Sequence, residues 1–172
     1  MSLLARKISR AKWEAGEDLG QDEIPADAVS ADLRTTGNTL SFWTCPSDGE
    51  SDLRKAVLAL AAAAERVDRM DLAWIEEPVV RHHEILAAFT RGRTPVESLQ
   101  EHHVDLVRLD VKRLGKVAEL LADAIRRGNH RRMTRKQVLS IVTEAVRDDL
   151  VPLKDLQCGV REEVQKALND SG

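Results

Sequence analysis

The chain has 172 residues, 42 % of them apolar and 32 % charged, with a formal net charge of −3. That is one domain's worth of chain with enough apolar material for a core, which excludes a disordered polymer. The acidic balance excludes a uniformly basic nucleic-acid binder, and the longest apolar run, residues 56–64, is far short of the roughly 20 residues a membrane span needs.

Residues 1–13 hold four basic groups and no acid. Leu3-Leu4-Ala5 is too short for the core of a secretory signal, so a transit-type segment is the one targeting alternative to a cytoplasmic protein. Seven acids and no base then lie between Trp13 and Leu33 (Glu14, Glu17, Asp18, Asp22, Glu23, Asp27, Asp32), punctuated by Gly16, Gly20 and Pro25. A solvated loop is the plain reading, and docking on a basic partner the functional one.

Residues 29–45 read as a β-hairpin. Val29, Ala31 and Leu33 alternate with polar residues, Thr39 to Cys45 is rich in β-branched and aromatic side chains, and Thr36-Gly37-Asn38 supplies a tight turn. Leu53, Ala56, Val57, Leu60, Ala61, Ala64 and Val67 follow at helical spacing, predicting a helix over 52–69. Asp71 to Glu76 reads as a third strand, parallel to the second after a crossover. The first half, 1–77, is therefore expected to be a small ββαβ mixed sheet with one crossover helix.

The second half, 78–172, is expected to be mostly helical and packed against the first as one unit. Pro78 and Gly92 bracket a helix over 79–91. The Thr94-Pro95-Val96-Glu97 box opens a long helix over 95–127, stopped by Gly128-Asn129. On it Val104, Val107, Val111, Leu114, Ala118, Leu121 and Ile125 recur at intervals of three and four, the period of a helix–helix seam. Val104, Val107, Val111, Leu114, Leu121 and Ile125 are the candidate seam for self-association or a protein partner. Thr134-Arg135-Lys136-Gln137 is another capping box, opening a helix to about 149, and Leu156, Val160, Val164 and Leu168 mark a last one.

Catalytic signatures are absent: there is no phosphate-binding glycine loop, no dinucleotide fingerprint and no nucleophile elbow. His82-His83-Glu84 and His102-His103 lie on neighbouring predicted helices. Adjacent histidines point about 100° apart on a helix, so each pair offers one ligand to a shared point, and no metal or other cofactor is expected. Cys45-Pro46 ends a strand, where a buried thiol is commoner than a nucleophile. Cys45 and Cys158 are expected to be unbridged. With only Trp13, Phe42, Trp43, Trp74 and Phe89 as aromatics, base stacking on an aromatic platform is disfavoured.

The strongest local feature is the segment 126–136, in which six of eleven residues are Arg126, Arg127, Arg131, Arg132, Arg135 and Lys136. Read as a helix–helix corner, it gathers cations at one end of a bundle. Arg135 and Lys136 would sit at an already positive helix N-terminus, which points to an anionic partner: nucleic-acid phosphate, an acidic protein face or the chain's own acidic stretch. The expectation is an α+β, non-catalytic cytosolic binding or regulatory protein of the antitoxin, immunity or accessory-subunit kind, engaging a protein through its helical half. The alternative is a nucleic-acid-associated regulator using the basic corner. A metal- or thiol-dependent enzyme comes third.

Overall fold

The structure is a computed structural model that describes residues 2–14, 19–20 and 22–170. Its centre is a strand absent from the sequence reading, β1 (Leu3–Ile8). Leu3 and Ala5 face one side of the sheet and Leu4 and Ile8 the other, all buried. A strand covered on both faces carries no alternation, so its apolar run resembles a fragment of a leader.

Beside β1 lie β2 (Leu40–Cys45) and β3 (Met70–Glu76), each antiparallel to it. The helix α2 (Glu50–Ala62) connects them over one face. The second and third strands therefore run in the same direction, as the crossover requires, but β1 is inserted between them. β4 (Leu86–Phe89), β5 (His103–Val107) and β6 (His130–Met133) complete an antiparallel sheet in the order β4-β5-β2-β1-β3-β6. Among the described residues, three strands thus come from residues 1–77 and three from 78–172.

Helices cover both faces. α2, α5 (Arg135–Arg147) and α6 (Cys158–Asn169) pack on Leu3, Trp43, Leu72 and Trp74. α1 (Ala26–Asp32), α3 (Glu77–His82) and α4 (Val111–Arg126) pack on Leu4, Phe42, Ala73, Val104 and Leu106. The molecule is a mixed α+β fold. Among the described residues no helix is long and apolar enough to cross a membrane.

Several expected elements change identity. The first hairpin strand, 29–33, is the end of α1: Ala28 and Asp32, four apart, are the buried pair, and the chain enters from Pro25. The turn itself is retained, with Gly37 and Asn38 both at φ near +60° and Thr36 bridged to Thr39. The expected helix 79–91 is α3, a turn at Glu84 with φ +57°, and β4. The expected helix 95–127 is a 3-10 turn (Glu97–His102), then β5, then α4. The heptad count had joined a strand to a helix. In His103-Val104-Asp105-Leu106-Val107, Val104 and Leu106 are the buried alternate residues of β5. Arg108, at φ +55°, then turns the chain, and the Asp110 carboxylate caps α4 by accepting the Arg113 amide at 2.7 Å. The helices 52–69, 134–149 and 155–168 correspond to α2, α5 and α6, and the Thr134–Gln137 capping box forms as read.

Candidate functional site

The basic segment 126–136 is not a helix–helix corner. It comprises the end of α4, a turn at Gly128 (φ +85°), the edge strand β6 and the start of α5. A strand forms here because Trp74 donates its amide to the Asn129 carbonyl and β6 continues that ladder along β3.

Four of the six cations have acidic partners far from, or beside, them in sequence. Arg126 pairs with Asp123 at 2.7 Å and also reaches the Asp22 carbonyl at 3.4 Å. Arg131 stands 4.0 Å from Glu50 at the start of α2. Arg132 makes a forked contact with the buried Asp71 carboxylate, at 2.7 and 3.3 Å, which raises the guanidinium pKa further. Arg135 is held by Glu163 and by the Val67 carbonyl. Arg127 and Lys136 are exposed and have no side-chain ion pair among the described residues. The repulsion inferred at the start of α5 is thus relieved from within. The acidic stretch contributes the Asp22 carbonyl, while Glu17 and Asp18 lie outside the described residues.

The candidate seam is dispersed. Val104 is in β5 and Leu121 in α4, both buried in the same core layer. Val107, Leu114 and Ile125 are half-buried, and Val111, at the first turn of α4, is 89 % exposed. They do not line one helix face, because there is no single helix to carry them.

The histidines are divided. His82 and His83 are edge-to-face neighbours at the end of α3, with centroids 5.4 Å apart. His103 sits on β5, its Nδ1 2.7 Å from Thr90 Oγ1, and that hydroxyl donates to Asp105 at 2.9 Å. Ser41 donates to the other Asp105 oxygen at 2.7 Å. No group of three or more metal-ligating side chains occurs among the described residues. Cys45 and Cys158 are both free thiols. Cys45 is buried, and desolvation together with the Asp52 charge pushes its pKa up to about 11, so it is a protonated thiol rather than a nucleophile.

The feature that the sequence reading missed is the other edge of the sheet. β4 has the sequence Leu86-Ala87-Ala88-Phe89, with no charge and no proline. Phe89 is 72 % exposed and Leu86 50 %. The main-chain ladder is only half used. Thr90 donates its amide to the His103 carbonyl, which makes Thr90–His103 a hydrogen-bonded pair. With β4 and β5 in register Ala88–Asp105 and Leu86–Val107, alternation turns the N–H and C=O groups of Ala87 and Phe89 away from β5. An open groove of about 450 Å³ lies at this end, lined by Phe89, Thr90, Arg91, Glu97, Gln100 and Glu101. The two edges contrast: β6 carries Arg131 and Arg132, whereas β4 presents bare apolar backbone. The signal for β4 was present as the run Ile85 to Phe89, short and bounded by Gly92, which fits a strand as well as a helix. Comparison of the chain with protein-family models, with curated proteins and with solved structures finds no match in any of the three.

Proposed function

We propose that the chain is a non-catalytic binding or regulatory protein that engages a protein partner by strand addition at the β4 edge. The single observation that supports this is an uncharged edge strand with Phe89 largely exposed and the main-chain groups of Ala87 and Phe89 directed outward. Such an edge gives a partner strand its hydrogen bonds from backbone and its anchor from the aromatic side chain. The partner surface therefore shifts from the helical seam expected from sequence to residues 86–89.

The nucleic-acid alternative has less support. Of the six candidate cations, Arg126, Arg131, Arg132 and Arg135 are engaged by Asp123, Glu50, Asp71 and Glu163, leaving Arg127 and Lys136 to meet phosphate. Thiol chemistry at Cys45 is disfavoured by its burial and protonation, and the exposed Cys158 has its pKa raised by the Glu162 carboxylate it donates to.

A photo-crosslinking residue in place of Phe89 tests the proposal, with the same residue in place of Arg131 on the opposite edge as control. In cells producing the protein, position 89 is expected to yield a discrete protein adduct and position 131 none. No adduct at 89, or equal labelling at both edges, overturns the proposal.

A further inference from the structure

We propose that the occupant of the β4 edge is a second copy of this chain, with Leu86–Phe89 of the two copies paired antiparallel about a two-fold axis at Ala88. The inference rests on the reading of that edge as an interface and supplies the partner's identity.

Three observations carry it. The first is phase. The outward groups belong to Ala87 and Phe89, which flank Ala88 symmetrically. Centring the axis on Ala88 sets Ala87 of one copy opposite Phe89 of the other. Each such pair exchanges both main-chain hydrogen bonds, so the short strand satisfies all four of its outward N–H and C=O groups at both ends. A register centred on Ala87 or Phe89 leaves one of these pairs unmade.

The second is size. Across the axis Phe89 meets Ala87, a large side chain beside a small one, and Ala88 meets Ala88 at the close-spaced position where bulk would hold the strands apart. Phe89 and Ala87 lie on the sheet face shared with Val104 and Leu106, so the exposed ring would extend an existing apolar surface.

The third is charge. Glu84 precedes the strand and Arg93 follows it, both exposed and without ion-pair partners among the described residues. Antiparallel pairing brings the Glu84 end of one copy to the Arg93 end of the other, twice over. A parallel partner of the same chemistry would place like charges together. By contrast β6, with Arg131 and Arg132 along it, would set cation against cation in the same arrangement.

A four-residue strand with its flanks covers less than the roughly 1,200 Å² of a stable interface, so the association is reversible and concentration-dependent. Sedimentation velocity of the full chain is expected to show monomer at about 1 µM and dimer growing towards about 500 µM. Phe89→Asp, a change at an exposed position, should keep the thermal midpoint and abolish the dimer. In a Cys158→Ser background, Ala88→Cys should oxidise to a covalent dimer, because Cα atoms at a close-spaced antiparallel pair are about 4.5 Å apart, within disulfide reach. Ala87→Cys, whose cross-axis neighbour is Phe89 rather than itself, should not. Wild-type monomer throughout the concentration range, or equal oxidation of the two cysteine variants, overturns the inference. If position 89 meanwhile crosslinks a different protein, the edge is still an interface and only the identity of its occupant fails. If it crosslinks nothing, both readings fall.

Discussion

A half-buried arginine and a buried aspartate meet beside the central strand. The Arg6 guanidinium lies 5.7 Å above the Phe42 ring and donates to the Asp32 and Ser41 carbonyls. Burial pulls its pKa down to about 10, opposed by the Asp32 charge, and it remains a cation at neutral pH. The Asp32 carboxylate receives the Ser9 amide at 2.7 Å, its hydroxyl at 3.0 Å and the Trp13 indole N–H at 2.8 Å. Cys45 has a separable pH consequence. Its ordinary value of 9.0 is raised in the fold to about 11, so the native state favours the thiol. That stabilisation is complete below pH 9 and is lost as pH rises towards 11. Urea unfolding of wild type and Cys45→Ala at pH 8 and 11 isolates it, since Arg6 and every other group cancel in the difference. The wild-type advantage should shrink by about 2–3 kcal/mol between the two, the free-energy equivalent of a two-unit shift. None of these interactions was readable from sequence, because Arg6, Asp32 and Ser41 meet only after β1, α1 and β2 have packed.

At the scale of elements, the helices were legible where one face is apolar and a cap is local. α2, α5 and α6 each bury one apolar face, and α5 adds the Thr134–Gln137 capping box. Strands were legible at β2 and β3, where aromatic and β-branched residues cluster. They failed at β1, buried on both faces, and at β5, whose two-residue alternation lay inside a pattern that also satisfies three-and-four spacing. The corrected boundary at Asp110 separates two residues that a continuous seam would treat alike. Val111 is the first residue of α4 and 89 % exposed, whereas Leu121 is fully buried. Val111→Asp should change stability by less than about 0.5 kcal/mol, since a carboxylate in the first turn suits the helix dipole. Leu121→Asp should cost more than about 4 kcal/mol by burying an unpaired charge. Urea midpoints measure both, and equal losses would restore the seam.

For the molecule as a whole, sequence order and sheet order diverge. β5 and β6, joined by α4, lie at opposite sides of the sheet with β2, β1 and β3 between them, and β3 and β4 are separated just as widely across α3. Local pattern cannot report such connections, and the half expected to be helical holds β4, β5 and β6. The same crossovers leave two edges of opposite character, one lined with paired arginines and one apolar. The binding role assigned to the chain rests on that difference. Residue-resolved amide hydrogen exchange of the wild-type protein as a function of its concentration tests the self-pairing of the apolar edge most directly. In dilute protein the outward amides of Ala87 and Phe89 should exchange near the rates of an unfolded chain, while Ala88, bonded inward to β5, is protected. At high concentration Ala87 and Phe89 should become protected, and the β6 edge amide of Arg132 should not change. Protection of Ala87 and Phe89 that is independent of concentration, or absent throughout, would contradict self-pairing at this edge.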